Sequence, residues 1–170
     1  MGMYPGGNVI SVTPTLDTSA YADGDVLFTG TEIPNAVSSR GGVSKLVNFY
    51  LSDSKDVADS DIYIILTTGS TVLGSLNATA NISAANWKTN KPLGFFKIDA
   101  DQAGTEENID NVRFFGPLPS SGINESAFAP ILLQAAGGST SVYAHGILYS
   151  ATTPQYDADS FELIFHVEYL

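Results

Sequence analysis

Eighteen Asp and Glu residues, two histidines and no cysteine are what this 170-residue chain has for chemistry. The absence of cysteine excludes a disulfide framework, thiolate zinc sites and a thiol nucleophile. No GxGxxG, P-loop, GxSxG or HExxH pattern occurs, so nucleotide binding, α/β-hydrolase chemistry and zincin chemistry have no support. His145 and His166 fall in late strand-like segments with no third ligand at short spacing, which predicts structural or interfacial histidines rather than a metal pair. The stretch from Asp99 to Gly104 opens like a calcium loop, with acids at positions one and three and glycine at six. It then departs from the pattern, because Ala103 occupies an oxygen-ligand position and Asp110 stands where a bidentate Glu belongs. A glycosidase would need one defined carboxylate pair across a cleft, and the acids nominate none in particular. The chain reads as a non-enzyme without metal or cofactor.

Binding is the remaining class of function. Seven basic against 18 acidic residues give a net charge of −11, which repels phosphate backbones and anionic lipid and argues against nucleic acid or membrane as partners. Tyr4, Trp87 and Tyr156 are the aromatics outside alternating segments, and flat aromatics in loops are how sugar-binding modules stack glycans. Trp87 is the candidate for that role; as a core residue it would instead be a lid over an open end of the core. The N-terminus has neither a basic n-region nor an apolar h-region, and no run approaches 18 apolar residues. The expectation is a chain made in the cytoplasm. The sequons at Asn77, Asn81 and Asn124 are accordingly read as polar loop residues.

The elements that position these residues are strands. Residues 9–15, 25–33, 43–51, 61–68, 92–98, 109–115, 128–135, 143–150 and 160–169 are β-branched or aromatic runs bounded by Gly, Pro, Asn and Asp. In 43–51, Val43, Val47, Phe49 and Leu51 are expected on one core-facing side. Residues 61–68 are apolar on both faces, as in a central strand covered on both sides. In 160–169, Phe161, Leu163, Phe165, Val167 and Tyr169 alternate with polar residues, the clearest period of two in the chain. Ser83 is positioned to cap a single helical turn ending at Trp87. About eight or nine short strands without amphipathic helices predict an all-β fold, an antiparallel β-sandwich or barrel of jelly-roll or Greek-key type. Residues 1–8, rich in Gly and Pro, read as a flexible N-terminal arm, and 9–170 as a single β-sandwich domain.

Three stretches carry a resemblance: AYADGDVL at 20–27, IPNAVSSRGGVSKL at 33–46, and SVYAHGILYSATTPQYDADSFELIFHVEYL at 141–170. Together they resemble small virion structural proteins of tailed bacteriophages, with a strand ending in Asp, here Asp53, and a closing Thr-Pro-x-Tyr before the alternating strand. The similarity lies outside residues 68–134. It implies a head decoration, or cement, protein on the virion's capsid surface, with the major capsid protein as partner and a homo-oligomer, trimer or dimer, as a further association. The arm, with Tyr4 and Pro5, and the loop 34–42, with Pro34, Asn35 and Arg40, are then the expected capsid contacts. Arg40 is the preferred anchor, because a guanidinium pairs with carboxylates and stacks on aromatics. A tail-fibre or baseplate component and a carbohydrate-binding β-sandwich module are the alternatives.

Overall fold

The computed structural model describes residues 6–57, 60–99, 106–116, 130–150 and 152–170. Among them the order is β1 (Gly7–Val12), β2 (Val26–Ile33), β3 (Val43–Asp53), β4 (Asp61–Thr67), α1 (Ala84–Asn90), β5 (Pro92–Ile98), β6 (Glu106–Ile109), β7 (Val112–Phe115), β8 (Ile131–Gln134), β9 (Val142–Tyr149) and β10 (Phe161–Tyr169). Every pairing between these strands is antiparallel. With the β6–β7 hairpin set aside, the pairs nest: β4 with β5, β3 with β8, β2 with β9, β1 with β10. That is one long hairpin. Rolled up, it adds the β10–β3 and β9–β4 contacts and divides into sheets β1-β10-β3-β8 and β2-β9-β4-β5. The chain is an antiparallel β-sandwich of jelly-roll topology, the class its strand pattern predicts.

Eight strands make the roll, and β6 and β7 raise the number above the eight or nine expected. The run 109–115 is not one strand. Ile109 pairs with Val112 across an Asp110–Asn111 turn, with Asp110 in the left-handed region at φ 59°. The strand β1 begins at Gly7, so Gly7 and Asn8, assigned to the arm, pair with Glu168 and Val167. Tyr4 and Pro5 lie outside the described residues.

The core lies between the sheets. Phe49 of β3 packs on Phe165 of β10 at 5.0 Å between ring centroids and on Phe96 of β5 at 4.8 Å, joining the two layers. On β10 the predicted alternation holds, with Phe161, Leu163, Phe165 and Val167 buried. On β3 it does not. The register with β10 shifts between His166 and Val167, leaving Val47 as an additional residue opposite that step. Ser44 and Leu46 face the core before this bulge and Phe49, Leu51 and Asp53 after it, while Val47 is 42% exposed. A bulge reverses which face an alternating pattern presents, which is why Val43 and Val47 do not share the face of Phe49.

Loops gather at the two ends of the roll. At one, 13–25 is tied to 152–160 by Leu16 N–H donating to the Ala158 carbonyl and Tyr21 N–H to the Pro154 carbonyl. At the other lie 34–42, 135–141 and the segment carrying α1. The Ser83 hydroxyl caps α1 as predicted, accepting from Asn86 N–H at 3.2 Å, and the helix runs on to Asn90. No helix among the described residues is long and apolar enough to cross a membrane.

Candidate partner-binding surfaces

Residues 34–42 are exposed at their tip and fixed along their length. Val37 N–H donates to the Thr140 carbonyl at 3.2 Å and Gly41 N–H to the Ser139 carbonyl at 2.9 Å. The turn Ser39-Arg40-Gly41-Gly42 is closed by Gly42 N–H to the Ser39 carbonyl. Gly41, at φ 68°, occupies the third turn position, which in a type II turn requires a positive φ. Arg40 is thereby set at the turn's corner, exposed, and it has no ion pair among the described residues. Pro34 and Asn35 are exposed as well, Asn35 at φ 54°.

The arm emerges beside this loop. Tyr169 N–H donates to the Gly6 carbonyl at 2.8 Å, and the Tyr169 hydroxyl donates to the Asn35 carbonyl at 2.9 Å while accepting from the Asn8 amide at 3.2 Å. Tyr169 therefore joins two of the regions singled out in the sequence, and Tyr169 itself was not among the residues singled out. Its role was hidden because its partners lie 134 and 161 positions away.

The second surface is the outer face of the four-stranded sheet. Ile62, Ile64 and Leu66 of β4 enter the core, but Tyr63 and Ile65 remain half-buried on the opposite side. With Trp87, Pro92, Leu93, Gly94, Phe95 and Ile147 they line a groove of about 360 Å³. The expectation that β4 is covered on both sides is corrected here, since its outer side borders an open groove. Trp87, half-buried, lies against this face and does not lid the core. Of the lining side chains, only those of Tyr63 and Trp87 carry a polar atom.

The remaining candidates are structural. Tyr156, proposed as a loop aromatic, is 2% exposed and packs against Tyr21 and Phe161 at centroid distances of 5.9 and 4.8 Å. Burial raises the hydroxyl pKa of both tyrosines, that of Tyr21 to about 12. Asp53 ends β3 fully buried; burial raises its carboxyl pKa against the opposing pull of donors from Lys55 N–H at 2.8 Å and Val57 N–H at 3.0 Å. Asp99 is held by Lys97 at 2.8 Å, and residues 100–104 of the calcium-like stretch lie outside the described residues. His166 stacks edge-on to Tyr50 at 5.6 Å.

His145 is fully buried although it lies on the outer face, because Thr29–Gly30 and residues 69–73 close over it. Gly30 N–H donates to Nδ1 at 3.0 Å, so Nδ1 carries a lone pair. Nε2 then holds the proton and donates to the Thr67 hydroxyl at 2.9 Å, which donates onward to the Gly69 carbonyl at 2.7 Å. Desolvation lowers the pKa of this ring to about 4, fixing it neutral at pH 7. No group of three or more metal-ligating side chains occurs among the described residues. No family model, curated protein or solved structure matches the chain.

Proposed function

We propose that the chain is a virion structural protein of a tailed bacteriophage, a decoration protein that binds the outer capsid surface and stabilises the head without catalysis. The observation that carries this reading is the Tyr169 junction, which puts the exit of the N-terminal arm beside the rigid loop 34–42. An arm and a fixed loop leaving one rim suit a protein that staples neighbouring subunits, the arm adding contacts beyond those of the loop. Arg40, held at a turn corner, is the anchor toward carboxylates of the major capsid protein.

The test is to titrate the purified chain onto virions lacking it and to count bound copies by quantitative mass spectrometry. Occupancy is expected to approach that of the capsid protein, and Arg40→Glu is expected to weaken binding about tenfold or more. Removing residues 1–5, which leaves β1 intact, should weaken it too. A few copies per particle would favour a fibre or baseplate component, and unchanged binding by both variants would overturn the assigned contacts. The carbohydrate-binding reading has Trp87 on an accessible face in its favour. The groove around it, however, offers few of the hydrogen-bonding groups a glycan needs.

A further inference from the structure

We propose that the outer face of the four-stranded sheet is a homodimer interface, packed on the same face of a second copy. The two-fold axis would lie in the interface and cross the strands. The inference holds whether or not the chain decorates a capsid, because it rests on the face alone.

The centre of this face is apolar and accessible: Phe95 is 70% exposed beside Tyr63, Ile65 and Ile147, and Tyr149, 54% exposed, adjoins them opposite Asp61. Tyr63 and Tyr149 meet edge to face at 5.8 Å. The six-stranded sheet also exposes Val9, Val47, Tyr50, Ile109, Phe114 and Leu132, but there Lys45, Glu162, His166 and Glu168 are interspersed among them. Contiguous exposed aromatics mark a surface meant for burial, whereas scattered ones do not.

The charges at the two ends of the face identify the occupant. At the Asp61 end of β4, Lys97 Nζ lies 2.6 Å from Asp61 and 2.8 Å from Asp99, so two carboxylates surround one ammonium. At the Thr67 end, Thr68 N–H donates to the Lys91 carbonyl, bringing Lys91 and the preceding helical Lys88 to the strand's finish. Both lysines are exposed, and neither has an ion pair among the described residues. Across roughly 20 Å of strand the face thus runs from an acidic end, over an apolar centre, to a basic end. Of the seven basic residues of a chain with net charge −11, Lys97 lies on β5 and Lys88 and Lys91 precede that strand. An isologous contact requires a self-complementary surface. With the axis crossing the strands, each copy's Lys88 and Lys91 oppose its partner's Asp61 and Asp99. An axis along the strands would instead oppose like charges.

Sedimentation velocity on the full chain over a micromolar concentration series tests this, and a monomer–dimer equilibrium is expected. Phe95→Ser, at an exposed position, should raise the dissociation constant about tenfold or more. Lys88→Glu with Lys91→Glu should do the same, as should Asp99→Lys alone. Mixing those two charge-reversed chains should restore dimerisation, since both ends of the mixed pair are again complementary. A chain that stays monomeric throughout would overturn the proposal. So would a dimer indifferent to Phe95→Ser and the lysine reversals, or a mixture that associates no better than its components.

Discussion

Replacing His145 with alanine is expected to lower the free energy of unfolding at pH 7 by about 3 kcal/mol or more, measured by urea denaturation. The loss combines an emptied, fully buried ring site with the orphaning of the Gly30 N–H and the break of the chain from Nε2 through Thr67 to the Gly69 carbonyl. His145→Phe separates the two contributions. It restores ring volume but no nitrogen, so it should recover at most about 1 kcal/mol of the loss if the unpaired donors dominate. Full recovery would show that the hydrogen bonds contribute little.

The same residue fixes a pH dependence. The ring's pKa is lowered from 6.5 to about 4 on folding, so between these values the unfolded chain binds a proton that the folded chain does not. Stability from this site is therefore complete above pH 6.5, is lost as pH falls through the window, and loses nothing further below about 4. The shift corresponds to about 3 kcal/mol across the window. The groups within hydrogen-bond distance of the ring nitrogens are hydroxyls and a backbone N–H, so no neighbouring charge offsets the shift. Asp53, with its carboxyl pKa raised by burial, acts in the opposite sense, favouring the folded state as pH falls. The comparison is thus between wild type and His145→Phe, whose difference in stability should shrink from pH 7 to pH 4. A constant difference would sink the assignment of a neutral, buried ring.

What the sequence reveals of this fold follows from where local chemistry decides the outcome. The alternation of β10, the Ser83 cap and the strand bounds of β5 were legible because side-chain period, capping hydroxyl and flanking residues act within a few positions. The Val47 bulge was not, because a single additional residue is set by pairing with β10, over a hundred positions downstream. Tyr156 departs from its expectation as a loop aromatic, and Trp87 from the lid alternative, for a related reason. The Thr-Pro-Gln-Tyr stretch reads as a surface loop, yet between β9 and β10 it folds over Tyr21 and buries Tyr156. Trp87 ends on the outside because the connection from β4 to β5 runs past the sheet's outer face. The candidate contact residues Pro34, Asn35 and Arg40 were found as a loop between two strands, and they are exposed there. Their link to the arm depends on Tyr169, which local pattern marks only as the last of an alternating row.

Gly146→Ala is expected to be about as damaging as the loss of His145, at about 3 kcal/mol, the upper end of overpacking costs. Gly146 opposes Phe28 across the β2–β9 pair, and a Cβ there would lie 2.4 Å from Phe28 Cε1, 2.7 Å from Cζ and 2.8 Å from Cδ1. No carbon tolerates those distances, and the Phe28 ring has nowhere to retreat because it is fully buried. The glycine is thus needed for space, since its φ is not among the positive values. A double-mutant cycle identifies the ring as the obstacle. Phe28→Leu alone should cost about 1 kcal/mol for the smaller side chain, yet combined with Gly146→Ala it should remove most of the clash. The double variant is then more stable than Gly146→Ala by itself, a reversal that additive effects cannot produce. If the two costs simply add, the strain lies in the β9 backbone and the Phe28 ring is not its source.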